Sequence, residues 1–213
     1  MKKLIKVLPL ILVLFILFSG CDKDDTNPEE TNDDITNDNN DDNTTATSSP
    51  QFTGDINETA VNYSNLHVGY TSSGEASTDS GTPSKFQLGF ILLDSDLKHI
   101  IHVEKGTLTI PSGYPSNEEF NAFFPLGTSE YDASLEDGVV IEYTDNSGQK
   151  WSTAFGSAEQ TGSTFEIIDR EITEHNGDHV VKVKINANCK LYNQSGESKS
   201  LENVVIIGRF ANV

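Results

Sequence analysis

Residues 180–192 read VVKVKINANCKLY. Val181, Val183, Ile185, Ala187, Cys189 and Leu191 alternate with Lys182, Lys184, Asn186, Asn188 and Lys190. A side-chain period of two over this length describes a strand with one buried face and one wet face. Working outward, Phe165 to Glu174 precedes it across Asn176-Gly177, a short-range hairpin signal. On the other side Asn193-Gln194-Ser195-Gly196 supplies turn chemistry, and Leu201 to Phe210 forms a last strand. The C-terminal part of the chain is expected to be a meander of three strands.

Upstream the same grammar repeats. Val139 to Tyr143 and Trp151 to Phe155 flank Asp145-Asn146-Ser147-Gly148, a second hairpin. Phe86 to Leu93 (FQLGFILL) is apolar in both phases, as expected of a central strand covered on both sides. Leu97 to Val103 and Thr107 to Ile110 add shorter strands. Val61 and Tyr63 share one phase and Leu66, Val68 and Tyr70 the other, which predicts a bulge near Ser64-Asn65. Helical spacing occurs once: Ser116-Asn117-Glu118-Glu119 fits a capping box, Phe120, Phe123 and Phe124 follow, and Pro125 and Gly127 end the segment. The expected fold is all-β, an antiparallel two-sheet β-sandwich with one short helix, and a closed β-barrel is the runner-up.

The N-terminus carries an address. Lys2, Lys3 and Lys6 precede a twelve-residue apolar stretch, Val7 to Phe18, which fits a secretory signal and is shorter than the roughly 20 residues of a spanning helix. Leu17-Phe18-Ser19-Gly20-Cys21 resembles a bacterial lipobox. The resemblance implies cleavage between Gly20 and Cys21 and acylation of Cys21, which would anchor the protein to a membrane without spanning it. Asp22-Lys23-Asp24-Asp25 resembles the surface-export signal of lipoproteins from Bacteroidetes-type bacteria, and implies outer-membrane, cell-surface display. In enteric bacteria an Asp next to the cysteine implies inner-membrane retention, so a periplasm-facing domain is the alternative.

Residues 22–50 hold ten acids and one base. Asn and Thr fill most of the rest, so the segment has little to bury and is expected to be a disordered spacer. The expected division is 1–20 signal peptide, 21–54 lipidated cysteine and acidic linker, and 55–213 a single domain. Residues 51–213 keep 23 acids and 10 bases, a net −13. The whole chain is at −19, which argues against nucleic acid, whose binding depends on Lys and Arg displacing counterions.

Two further stretches, GVVIEYTDNSGQKWSTAFGS (138–157) and VKVKINANCKLYNQSGESKSLENVVIIGRF (181–210), resemble uncharacterised lipoprotein domains of Bacteroidetes-type bacteria. Those domains close on a strand ending Gly-x-Phe, matched here by Gly208-Arg209-Phe210. Val204 stands where they often carry glycine. The resemblance implies the fold and lends no chemistry.

No nucleophile elbow, phosphate loop, His-Glu-x-x-His or Cys-x-x-Cys motif occurs in the sequence. His99 and His102, three apart in an extended segment, point to opposite faces and cannot share a metal. His175 and His179 flank the Asn176-Gly177 turn beside Asp178, and are expected to be exposed turn residues rather than metal ligands. Asp94 and Asp96 read as turn acids, and Glu118 and Glu119 as helix-start acids. Cys189 falls on the apolar face of its strand, as a buried hydrophobe does. Tyr70, Tyr114, Phe120, Phe123, Phe124, Tyr131 and Trp151 are core candidates first and a ligand platform second. No catalytic residue and no cofactor are expected. The function expected is a non-catalytic surface module that binds a glycan or a protein partner. The alternatives are an accessory subunit of an outer-membrane complex and a hydrolase whose residues scatter over loops.

Overall fold

A computed structural model of the chain describes residues 49–79 and 81–212. In chain order the strands begin with β1 (Gln51–Ile56), β2 (Thr59–Ser64), β3 (His67–Glu75), β4 (Ser84–Leu93) and β5 (Ile100–Ile110). The helix α1 (Asn117–Ala122) follows, then the two-residue β6 (Gly127–Thr128), β7 (Val139–Thr144) and β8 (Lys150–Ser152). The meander β9 (Thr164–His175), β10 (Asp178–Tyr192) and β11 (Ser198–Asn212) closes the chain. The fold is all-β, and all the strand ladders are antiparallel.

The strands belong to one hydrogen-bonded sheet in the order β2-β1-β11-β10-β8-β7-β5-β4-β3, with β9 on β10 and β6 on β9. β2 and β3 stand at opposite ends of that path, yet only Asn65 and Leu66 join them. Three Cα steps span no more than about 11 Å, so the sheet has to curl until its ends meet at this corner. Asn65 takes φ +54° there. The phase change read as a bulge is thus a corner between two strands that do not pair with each other.

Curling brings β4 against β11. Phe90 meets Phe210 edge-on at 5.0 Å between ring centroids, and the backbone at Gly208 lies against the Phe90 ring. Apolar residues of alternate parity line this interior: Phe86, Leu88, Phe90 and Leu92 from β4, and Val181, Val183, Ile185 and Leu191 from β10. The capping box at Ser116 is present, with its hydroxyl accepting from the Glu119 N–H and the Glu119 carboxylate accepting from the Ser116 N–H. The helix it starts delivers Phe120 and Phe124 into the core, where Phe124 stacks on Phe210 at 4.3 Å. Arg170 closes the other helix end by donating to the carbonyls of Asn121 and Phe124.

Several expectations shift in detail. β1 takes in Gln51 to Gly54, which a division at residue 55 leaves with the linker; Phe52 is fully buried and pairs its strand with β11, so the domain begins earlier. The two segments 97–103 and 107–110 become the one strand β5, continued through Gly106 at φ +52°. β8 stops at Ser152 rather than reaching Phe155. β4 lies one place in from the β3 edge, and only one of its faces is packed; Gln87 and Ile91 on the other are part-exposed.

Candidate functional site

The unpacked face of β3, β4 and β5 forms a polar trough. One depression, about 610 Å³, is lined by Ser73, Lys85, Gln87, Thr107 and Thr109 of the strands and by Ser134, Glu136 and Asp137 of a neighbouring loop. It adjoins a second of about 460 Å³, with which it shares Ser73 and Gln87 and which continues to Thr71, His102 and Glu104. On β4 and β5 the period of two selects these residues, because they alternate with the buried ones, and on β3 Thr71 and Ser73 share the face through their register with Gly89 and Gln87.

The loop wall is built by local hydrogen bonding. Asp132 accepts from the backbone N–H groups of Ser134 and Glu136. Thr107 donates its hydroxyl to the Leu135 carbonyl at 2.6 Å and its N–H to Glu136 O at 3.1 Å. Beneath it Lys105, only 7 % exposed, places its ammonium 5.2 Å from the centre of the Phe123 ring. Burial pulls that ammonium's pKa down, against the opposing charge of Asp137.

At the far end of the trough four strands contribute to one cluster. Thr71 on β3, Gly89 on β4 and Glu104 on β5 are in register, as are His102 on β5 and Glu142 on β7. His102 Nε2 lies 3.0 Å from Thr71 Oγ1, and its Nδ1 lies 3.5 Å from a Glu142 carboxylate oxygen. Glu104 stands 3.8 Å from Nε2. The two ring nitrogens thus face different partners, Nδ1 the Glu142 carboxylate and Nε2 the Thr71 hydroxyl. The hydrogen bond from His102 holds the Glu142 carboxyl below its ordinary range despite its partial burial, aided by the charges of His102 and Lys150.

The cluster depends on Gly89. A Cβ there would lie 2.4 Å from Thr71 Oγ1 and 2.8 Å from the Val103 carbonyl oxygen. Without it, the Thr71 side chain reaches across β4 to His102 on the next strand. The order hydroxyl, imidazole, carboxylate is that of a proton relay. It lies flat on a sheet, however, where ladder geometry turns the backbone N–H groups along the sheet plane and away from a ligand above it. The arrangement is suited to hydrogen-bonding a ligand laid along the face.

The residues singled out in the sequence fall as follows. Gly20, Cys21, Asp22, Lys23, Asp24 and Asp25 lie outside the described residues. His99 leaves the His102 cluster altogether: it stacks on Tyr63 at 4.5 Å and on Tyr143 at 6.1 Å between ring centroids, with Nδ1 3.0 Å from the Tyr143 hydroxyl. His179 Nε2 is 2.8 Å from Asn121 Oδ1, which ties it to the helix, whereas His175 lines a groove beside β10. Among the described residues, no three His, Cys, Asp or Glu side chains gather to hold a metal ion. Asp94 accepts from the N–H groups of Lys98 and His99, and Asp96 pairs with Lys98. Of the seven aromatics, Phe120, Phe124 and Trp151 are buried, while Tyr114 is 77 % exposed and leans on Phe86. Thr71, Gly89 and Glu142 were not legible as a site. The available signal was the glycine inside FQLGFILL, since a strand-interior glycine marks a close approach.

Family models, curated proteins and solved structures were all compared with the chain, and none matches it.

Proposed function

We propose that the chain is a lipid-anchored cell-envelope lipoprotein, displayed at the outer surface, whose β domain is a non-catalytic module binding a glycan through the β3–β4–β5 trough. The observation that carries this reading is the continuous run of hydroxyl, amide and carboxylate groups from Thr71 to Thr109 along one open strand face. Sugar hydroxyls both donate and accept, and such a mixed lining pairs them without requiring a charged ligand. Four acids, Glu75, Glu104, Glu136 and Asp137, against Lys85 favour a neutral or basic ligand over an anionic one. In this reading the curled sheet works as a two-layer sandwich, with β3–β4–β5–β7 packed over β10–β11 through Phe90, Gly208 and Phe210.

The test is a glycan array probed with the full chain, alongside Thr71→Val and Gln87→Ala variants. Binding to a neutral glycan that falls at least tenfold in the variants supports the reading; an array with no ligand removes it. Mass spectrometry of the native polypeptide checks acylation of Cys21, and protease shaving of intact cells checks outward display. A second reading, an accessory subunit of an outer-membrane complex, is favoured by β2. Among the described residues that strand pairs only with β1, and it exposes most of its side chains, leaving an edge on which a partner strand can add. Cross-linking on cells that recovers one constant partner through β2 would select it.

A further inference from the structure

Lys182 on β10 and Arg209 on β11 are directly opposite one another across the ladder. They share the face away from the Phe90–Phe210 contact, since Val181, Val183 and Phe210 beside them point into the core. Like charges in that position repel, and a domain with 23 acids and 10 bases has ample means to pair every cation. Yet among the described residues neither one is in a salt bridge. The Arg209 Nε is fully buried and has no hydrogen-bond partner. Leaving a buried guanidinium donor unsatisfied is costly, and such a group in a folded protein calls for an occupant.

Both cations line a groove of about 410 Å³ beside Thr173 and His175, within the size range of small-molecule sites. Two acids, Glu171 and Glu174, line it as well. Glu171 is the cross-strand neighbour of Lys182 on β9. The formal charges of the four groups cancel, so the groove has no net positive charge to hold a dianion but accepts one negative charge placed on the Arg209 side. The planar guanidinium fork matches a carboxylate, which it can hold through two parallel bonds. Thr173, Glu174 and His175 then offer donors and acceptors to hydroxyl groups on the rest of the ligand.

We propose that this groove between β9, β10 and β11 is a binding site for a hydroxylated monocarboxylate, the chemistry of a sugar acid, with Arg209 and Lys182 holding the carboxylate. It shares no residue with the β3–β4–β5 trough, so its failure leaves the reading of that trough standing.

The experiment is an NMR titration of the full chain with D-glucuronate, D-glucose and inorganic phosphate. Glucuronate should shift Thr173, Lys182 and Arg209 saturably, with a Kd on the order of 1 mM for a ligand of that size. Glucose and phosphate should each bind at least tenfold more weakly. Arg209→Gln should weaken glucuronate at least tenfold while keeping a dispersed spectrum elsewhere. Glu171→Gln, at an exposed position, removes the carboxylate that competes for Lys182 and should tighten binding severalfold. The proposal is overturned by the absence of saturable shifts in the groove, by glucose or phosphate binding as well as glucuronate, or by Glu171→Gln weakening it.

Discussion

Gly208 shows how a single hydrogen atom in place of a methyl group permits the curl. A Cβ at this position would stand 2.3 Å from Phe90 Cε2 and 2.4 Å from Cζ, both on a fully buried ring. The ring cannot retreat, because Phe210 lies against it on the same strand. Gly208→Ala should therefore destabilise the domain by about 2–3 kcal/mol through overpacking, measured by urea unfolding; an unchanged midpoint would show that β4 and β11 are not in close contact. Asp145 is the second residue on which much depends. Its carboxylate accepts from Trp151 Nε1 at 3.0 Å, from Lys199 Nζ at 3.0 Å and from the Ser147 hydroxyl at 2.6 Å. Burial alone would raise its pKa, but these hydrogen bonds outweigh burial and hold the carboxyl well below its ordinary 3.8. A depressed folded value means that the stabilisation is complete above the unfolded pKa and is lost as pH falls toward the folded one. Asp145→Asn should lower stability by about 2 kcal/mol at pH 7 and flatten the acid limb below about pH 4. Melting temperatures followed from pH 7 to pH 2 for both proteins decide it; parallel curves would remove Asp145 from the account.

At the scale of the element, α1 is short and marginal by itself, since isolated helices of this length do not hold in water. It persists because its capping box satisfies the first turn, Arg170 satisfies the last carbonyls, and Phe120 and Phe124 are buried beneath it. Ser116→Ala should cost about 1 kcal/mol, seen as a lower urea midpoint and faster amide exchange at Phe120 and Phe124. A loss confined to the helix with no change in midpoint would mean that α1 is not coupled to the core. The helix, the β9–β10–β11 meander and the hairpin at Asp145 were legible in the sequence because each rests on local chemistry: a cap, a period, a turn. The Asn176-Gly177 turn takes positive φ at both residues, as its composition required. The strand Phe86 to Leu93 was misjudged for the opposite reason. Apolar residues in both phases do not say which face meets the core, and the part-exposed Ile91 sits on the open one. The His102 cluster was illegible for a related reason: its members come from four strands, and the register that aligns Thr71 with Gly89 and His102 with Glu142 is set by pairing partners distant in the chain.

Over the whole molecule, Cys189 reports on the integrity of the curl. Burial, against the opposing hydrogen bond of Tyr131, pushes its thiol up to about 12, and the side chain is 4 % exposed. With Cys21 replaced by alanine it is the sole thiol in the chain. At pH 8 it should react with a disulfide reagent roughly a thousandfold more slowly than an unfolded thiol, and the rate should rise with the unfolding transition in urea. Fast labelling of the native protein would contradict a closed interior around β10. Local chemistry along the chain was enough to establish that it is an all-β protein, where most of its turns lie, and which residues of β10 face inward, because alternation and turn composition act within a few residues. The single curled sheet, the corner at Asn65 and the polar face of β3–β4–β5 were decided only in three dimensions. So was the opposition of Lys182 and Arg209. Each depends on which strands become neighbours, and that is settled by packing Phe90 against Gly208 and Phe210 across more than a hundred residues of chain.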